Sequence, residues 1–446
     1  VLIKRELRTR RISWEIMKKA AFRNRRLSDV TAEIFRREGD NISDQDRRFI
    51  TMLVQGTVRL TGRLDWELRQ VFIGDYEDLK EGLRILLRLG VFQLFYMDSV
   101  PDYAAVTTTV QLAKKIHPNL GGLTNAILRT LANLEDRNVP DEHTPIANVA
   151  DYLSHPEWLI SKWIKDKSFV QAKALAEWNN EYPSLWFRVN RLEYTPTKFK
   201  NYLKKHDIKY EQFEHIPEFF KTSKHQELIK SDIFKEGKIS VQDPSAGLVV
   251  QLVDPKEKES ITDACAAPGG KSSYMAEKLN NTGSILSFDS NEERLIRLDN
   301  TLERLNISNT ESDLVDITED EVPMTDKMLL DVPCSGTGVM AKRADIRWRR
   351  SIDDILEMHL LQRKILWAAS NYINPGGVII YSTCSVEPEE NYMVIDAFLK
   401  SHPDYSIESA KDYIPAEYVD DKGAMVIFPP EHKIDGGFAV RLVNNG

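Results

Sequence analysis

The chain has 446 residues, 42% of them hydrophobic and 29% charged, and a formal net charge of −8. That length exceeds one ordinary core and predicts two or three domains; the composition is that of a soluble globular protein, with no apolar run near the roughly 18 residues a membrane span requires. The negative balance excludes blanket attraction to nucleic acid or to an anionic membrane, so any polyanion must be met locally.

The opening run VLIKRELRTRRISW is basic but lacks the apolar stretch of a secretory signal, which predicts a cytoplasmic protein. Residues 1–40 hold twelve Lys/Arg against six Asp/Glu, including Arg8, Arg10, Arg11, Arg23, Arg25 and Arg26. This local net of +6 is a candidate phosphate-contacting face and equally a solvated helix surface. From Ser13 to about Leu134, apolar residues recur at three- and four-residue spacings (Ile16, Phe22, Leu27, Ile34; then Phe49, Leu53, Val58; then Leu83, Leu86, Leu87, Val91, Leu94), the period of a helix bundle. A last helix is expected to restart after Gly121 and Gly122, and the polar, proline-bearing stretch Glu135–Pro145 reads as a linker. The first domain is therefore placed at 1–140. Residues 141–235 join the helical SHPEWLISKWI to a strand, SLWFRVN, and read as a small α/β module.

After Gly237 strands alternate with helices, the pattern of βαβ units and a mostly parallel sheet, which predicts a third, α/β Rossmann-like domain over 236–446. The expected strands are SITDA (Ser260–Ala264), SILSFD (Ser284–Asp289), a short one near Val315, KMLLDVP (Lys327–Pro333) and GGVIIYSTCS (Gly376–Ser385). An amphipathic helix with Leu295, Leu298, Leu302 and Leu305 follows the second strand, and a long helix runs from about Ile352 to Ile373. In open sheets of this kind ligands sit beyond the carboxyl ends of the strands. Asp263, Asp289, Asp316, Asp331 and Cys384 all fall there, a coincidence harder to dismiss than any one of them alone.

The loop DACAAPGGKS (Asp263–Ser272) is one residue from a phosphate-gripping P-loop, having Cys265 where the first glycine is needed. Cys265 reaches that glycine's backbone conformation only at a cost, Pro268 deletes a cradling amide, and Asp263 adds negative charge beside the supposed anion. No GxGxxG dinucleotide fingerprint is present either. A ligand without phosphate fits better, and S-adenosylmethionine has a ribose diol for Asp289, an adenine N6 for Asp316 or the neighbouring Asp313, and a methionine moiety that Gly269 and Gly270 let the backbone approach. Lys271 is placed to pair with a carboxylate.

The three cysteines, Cys265, Cys334 and Cys384, show no CxxC pairing, so neither a disulfide framework nor a zinc site is indicated, and no metal is expected. Cys334 and Cys384 lie at the ends of two strands expected to be neighbours, which would bring both thiols to one pocket. A thiolate beside a methyl donor makes sense for a pyrimidine. Addition of sulfur to C6 turns the ring into an enamine-like carbanion that can accept a methyl group at C5. The segment MAKRADIRWRRS (Met340–Ser351), net +4, reads as backbone-phosphate contact through Lys342, Arg343, Arg347, Arg349 and Arg350, or as a helix start whose Ile346 and Trp348 are core.

The strings DACAAPGGKSS, LLDVPCSGTG and YSTCSVEPEEN resemble, in order and spacing, the motifs of the Sun/Fmu-type RNA cytosine-5 methyltransferases. The helical N-terminal part with GLTNAILRTL is similar to the NusB-type RNA-binding domain fused to the bacterial ribosomal member, and SHPEWL with FRVN to its connecting module. The resemblance covers almost the whole chain. It implies that Cys384 is the nucleophile, that Cys334 assists product release, and that Asp331 holds the cytosine near N3. It further implies that Cys265, Ala266, Ala267, Pro268, Gly269, Gly270 and Lys271, with Asp289, Asp316 and Asp331, bind S-adenosylmethionine. The substrate it implies is small-subunit (16S) ribosomal RNA, bound by a monomer. A tRNA methyltransferase of the same chemistry and an RNA-binding ribosome-assembly factor are the alternatives. The chain departs from the family at KRADIRW, where Arg343 and Ala344 replace a His-Pro, and near TESDLVDIT, where Asp313 competes with Asp316.

Overall fold

The computed structural model describes residues 2–23, 25–134 and 143–446. The expected linker therefore lies largely outside the described residues, as does the side chain of Arg23. The chain forms two compact units, one of residues 1–181 with 340–350, the other of residues 182–339 with 351–446. Among the described residues no helix is long and apolar enough to cross a membrane.

The first unit is helical, as the three- and four-residue spacing dictates. Its principal helices are Leu2–Arg23, Leu27–Glu38, Asp44–Arg59, Thr61–Val71, Glu81–Tyr96, Asp102–Ile116 and Leu120–Ala132, with Ile146–Tyr152, Glu157–Asp166 and Phe169–Asn180 beyond. Ser43 starts the third with a capping box, its hydroxyl accepting from the Asp46 amide while Asp46 accepts from the Ser43 amide. Ile16, Leu27, Ile34, Leu53, Leu86, Leu87 and Val91 pack into one core. Inside it Arg88 forks onto both oxygens of Asp65 at 2.7 and 2.8 Å, and Tyr76 donates to the same carboxylate. A buried ion pair is tolerated when its lone pairs are satisfied in this way. The last bundle helix begins at Leu120, so Gly121 and Gly122 lie in its first turn instead of preceding it. The aromatic-rich helix Glu157–Asp166 groups with this unit, apart from the strand that follows it in sequence.

Much of the basic N-terminal face is neutralised within the unit: Arg5 pairs with Asp46, Arg8 with Glu38, Arg25 with Glu33, and Arg37 with Glu15. Arg10 is buried and donates to Gln93. Arg11 and Arg26 remain exposed.

Residues 340–350 correct one expectation. Arg347 is fully buried and donates to the carbonyls of Arg59, Ser154 and Asn179 and to the Asn180 side chain. Burial, with Arg59 adding to it, pushes its pKa down to about 9. A guanidinium that is fully buried and held by four protein oxygens is out of reach of a phosphate, so Arg347 is a strut of the helical unit. Met340, Ala341, Ala344 and Ile346 are buried around it, and the Trp348 indole donates to the Val58 carbonyl at 2.8 Å. Arg343 stays exposed.

The second unit holds two sheets. The smaller is antiparallel, in the order β2-β3-β1-β4, from β1 (Leu185–Val189), β2 (Glu211–Gln212), β3 (Phe219–Thr222) and β4 (Ile239–Val241). The larger contains β5 (Ser260–Asp263), β6 (Ser284–Asp289), β7 (Thr310–Leu314), β8 (Thr325–Asp331), β9 (Ile373–Thr383), β10 (Tyr405–Glu408), β11 (Met425–Ile427) and β12 (Gly437–Asn444). Its order is β10-β12-β9-β8-β5-β6-β7, with β11 paired to β12. The strands from β5 to β9 are parallel, and β10, β11 and β12 are antiparallel. The order reverses between β5 and β8, and such a switch point opens a crevice at the carboxyl ends of the strands.

The two sheets are joined by Arg188 of β1. It is fully buried and donates to the Gly270 carbonyl at 2.9 Å, the Ser273 hydroxyl at 3.1 Å, the Glu277 carboxylate at 2.5 Å and the Gln242 side chain. One residue of the small module thus holds the first turns of the helix Gly270–Lys278, which follows the glycine loop. Asp263, ending β5, accepts from Ser272 at 2.7 Å. Burial raises its pKa to about 7.

Two stability measurements follow. Arg347→Met removes a buried donor from the Ser154 and Asn179 carbonyls and from the Asn180 side chain, while the Arg59 carbonyl keeps the Ser154 hydroxyl; it should cost about 3 kcal/mol, lowering the thermal midpoint by roughly 10 °C, whereas Arg343→Ala should leave it unchanged. For Asp263 the folded pKa lies above the unfolded value of about 3.9, so between about pH 4 and 7 only the native state keeps the proton and stability falls as pH rises. Asp263→Asn cannot ionise; its melting midpoint relative to the parent should therefore climb from pH 5 to pH 8, and a pH-independent difference would contradict the assignment.

Candidate active site

The site is built where β8 and β9 end side by side. Their parallel register sets Asp331 opposite Ser382, so the loops that follow begin level with each other. Cys334 comes three residues after Asp331 and Cys384 two after Ser382; their sulfurs lie 3.0 Å apart, with no disulfide. The loops touch backbone to backbone. Gly338 donates to the Cys384 carbonyl at 3.0 Å, and a Cβ at Gly338 would fall 2.9 Å from that oxygen and 2.5 Å from the Gly436 carbonyl. The second glycine of SGTG is thus required by close approach. The hydrogen bond between the two thiols, followed by burial, holds the Cys334 pKa well above the usual thiol range.

Asp331 is clamped. Lys271 reaches one oxygen at 2.6 Å and the Ser382 hydroxyl the other at 2.8 Å. Burial alone would discharge Lys271, but the Asp331 carboxylate outweighs it and raises the lysine's pKa. The carboxylate expected for Lys271 is therefore that of Asp331.

Beside these groups a cleft opens across the ends of β5, β6 and β7, lined by Cys265, Asp289, Asp316, Ile317, Pro333 and Leu361 among others. Asp289 is buried and accepts from the Ala267 amide at 3.2 Å and the Asn291 amide at 3.1 Å. Arg294 bridges Asp289 and the Ala267 carbonyl. These contacts fix the loop that bears Ala266, Ala267 and Pro268, whose Ala267–Pro268 peptide is cis. Gly269 has φ +95°, a backbone favouring glycine, and a Cβ there would meet Leu298 at 2.7 Å. Asp316 holds its carboxylate through the Thr318 amide and hydroxyl and lines the cleft, while Asp313 is an exposed residue of β7. The strand near Val315 ends at Leu314, so Asp316 sits in the loop beyond it.

This donor set suits an adenosyl ligand: acidic groups on two strand ends for hydroxyl and amino donors, apolar walls from Ile317, Pro333 and Leu361, and no cation in the loop left for a phosphate, since Lys271 is spent on Asp331. One buried oxygen of Asp263, at the head of the same loop, has no hydrogen-bond partner within the protein.

Sequence reasoning missed three residues that shape this site. Arg188 lies inside the quoted FRVN, but nothing in a strand's alternation says that its arginine points inward. Gln242 and Glu390 were likewise unassigned, although Glu390 belongs to the quoted YSTCSVEPEEN, where two consecutive glutamates before Asn391 were the available signal.

Comparison with known proteins identifies the family of the chain. Residues 250–443 match the family described as 16S rRNA methyltransferase RsmB/F, residues 7–133 the NusB family, and residues 155–226 the ferredoxin-like domain of RsmF/B-type methyltransferases. The chain is 30% identical over 418 residues to the probable ribosomal RNA small subunit methyltransferase B of Bacillus subtilis, covering 92% of this chain and 93% of that protein. It is 33% identical over 403 residues to the ribosomal RNA small subunit methyltransferase B of Proteus mirabilis, covering 89% and 92%. A crystal structure, that of PH0851, superposes with a TM-score of 0.80 at 25% identity over 98% of both chains. With its helical N-terminal domain, its ferredoxin-like module and its Rossmann-like sheet, the chain belongs to the RsmB/F family of 16S rRNA methyltransferases.

Proposed function

We propose that the protein transfers a methyl group from S-adenosylmethionine to carbon 5 of a cytidine in 16S ribosomal RNA, in the cytoplasm. The observation that carries the reading is the Cys334–Cys384 pair, two thiols 3.0 Å apart at the ends of β8 and β9 with Asp331 beside them. A methyltransferase acting on an oxygen or an amino nitrogen has no use for two adjacent thiols. One acting on the weakly nucleophilic C5 of a pyrimidine does.

In this reading Cys334 keeps its proton and Cys384 attacks as the thiolate, the role that the resemblance to the cytosine-5 methyltransferases implies for it. Its sulfur bonds to C6, the C5–C6 electron pair becomes available at C5, and Asp331 steadies the ring at its N3 edge. S-adenosylmethionine, held by the glycine loop with Asp289 and Asp316, supplies the electrophilic methyl group. Transfer of the C5 proton to a water molecule then returns its electron pair to the ring as the C5–C6 double bond while the bond to Cys384 breaks, and Cys334 donates its proton to the departing sulfur. Lys271 and Ser382 keep Asp331 aimed throughout. Backbone-phosphate contact is supported by the exposed Arg343, with Lys342, Arg349 and Arg350 on the same segment, Arg11 on the first helix and Arg26 just before the second. A base in structured RNA must first be unstacked, at about 2–4 kcal/mol, which those contacts would offset.

Removing the nucleophile should be far more damaging than removing its neighbour. Cys384→Ala should lower methyl transfer by about 10⁴-fold or more, while Cys334→Ala should form the C6 adduct and release it slowly, giving a protein–RNA band that survives denaturation; a fully active Cys384→Ala enzyme would falsify the assignment. The direct assay is tritium transfer from labelled S-adenosylmethionine to unmodified 16S rRNA, with bulk tRNA in parallel, followed by nucleoside analysis. Labelled 5-methylcytidine from rRNA alone is the expected result. Label in tRNA alone would move the substrate, label on another atom would overturn the chemistry, and none in either would favour a ribosome-assembly role.

A further inference from the structure

Behind the two cysteines lies a carboxylate that the mechanism above does not use. Glu390 ends a short helical turn, Pro388–Glu390, and is fully buried. It accepts four hydrogen bonds: from the Ser335 amide at 2.7 Å, from the Ser335 hydroxyl, from the Ser385 hydroxyl, and from the Gln362 amide at 3.0 Å. Ser335 directly follows Cys334 and Ser385 directly follows Cys384. One side chain therefore grips both cysteine loops at the residue next to each sulfur.

The surrounding bonds extend the grip. The same Gln362 amide donates to the Pro333 carbonyl, just before Cys334, at 2.8 Å, and Tyr381, near the end of β9, donates to the Glu390 carbonyl at 2.7 Å. Thr337 meets Ser385 at 3.1 Å. A carboxylate is an acceptor only, and a buried one is stable only where donors converge on it. Here the donors come from two loops that are otherwise about fifty residues apart in sequence. Apolar packing at this position would fill the space without fixing a direction.

We infer that Glu390 is a positioning residue that fixes the spacing of Cys334 and Cys384 by holding Ser335 and Ser385 on one carboxylate, so that attack by one sulfur and proton donation by the other take place in a single geometry. Glu390 touches no reacting atom. Its effect is exerted wholly through the two loops, which separates it from Asp331. A glutamine there keeps the shape but replaces one acceptor oxygen with an NH₂, so the Ser335 and Ser385 hydroxyls must turn from donors into acceptors and their charge-assisted hold on the carboxylate is lost. The inference deepens the cytosine-5 reading and rests on it for its catalytic part; its geometric part stands alone.

The experiment reads both parts on the full-length protein. Diamide, a diazene, oxidises two neighbouring thiols to a disulfide, taking up their two protons and two electrons to become the hydrazine. Its rate of linking Cys334 to Cys384, followed by peptide mapping, reports the sulfur spacing without RNA. In Glu390→Gln this rate should fall at least about tenfold, and kcat for RNA methylation about 100-fold, the scale of an ångström-level misplacement, with KM for RNA and for S-adenosylmethionine within twofold of the parent. A folded Glu390→Gln protein with parental linking rate and kcat would overturn the inference, as would one whose losses appear wholly in KM. Should that variant not fold, Ser335→Ala and Ser385→Ala each remove one contact, and each should slow linking; unchanged rates in both overturn it equally. If the parent methylates no cytidine, the function proposed above fails while the linking rates still decide the role of Glu390.

Discussion

The site depends on one register. β8 and β9 run parallel with Asp331 opposite Ser382, and that alignment brings two short loops off the sheet side by side. A slip of one residue would turn every side chain to the opposite face and send Asp331 away from the cleft. The register is held by the buried apolar residues Met328, Leu330, Ile379 and Tyr381 of the two strands, which pack into one cluster beneath the site. Hydrophobic burial thus sets the spacing at which polar chemistry takes place.

Around that register the polar groups are coupled in a chain of fixed contacts. Lys271, from the helix after the glycine loop, holds Asp331; Arg188, from the ferredoxin-like module, holds the first turns of the same helix; Glu390 holds both cysteine loops. Each is buried or nearly so, where a hydrogen bond to a charged group is strong and an unpaired one costly. The module therefore supports the glycine loop's helix, and its arginine reaches further into the candidate site than its place in the sequence suggests.

Charge is used differently in the helical unit. The basic N-terminal stretch is largely absorbed by acidic partners in its own helices, and Arg347 is absorbed by backbone carbonyls. What remains exposed is a sparse set of arginines, among them Arg11, Arg26 and Arg343, so in a chain of net charge −8 the proposed RNA contact rests on position and not on bulk attraction.

The sequence alone determined the helical period of the N-terminal part, the alternation of strands and helices after Gly237, and the placement of Asp263, Asp289, Asp316, Asp331 and Cys384 at strand ends, because each of these is a matter of local periodicity and of turn chemistry within a few residues. The two cysteines within long family-like strings also suggested the proposed reaction class, since a pair of thiols is a chemical statement whatever the fold. Only the tertiary structure decided that Arg347 faces inward, that Asp316 and not Asp313 lines the cleft, that Lys271 is spent on Asp331, and that Arg188 and Glu390 support the site. Those assignments rest on contacts between residues tens to hundreds of positions apart, and a side chain's partner across such a distance is set by packing, which no local pattern encodes.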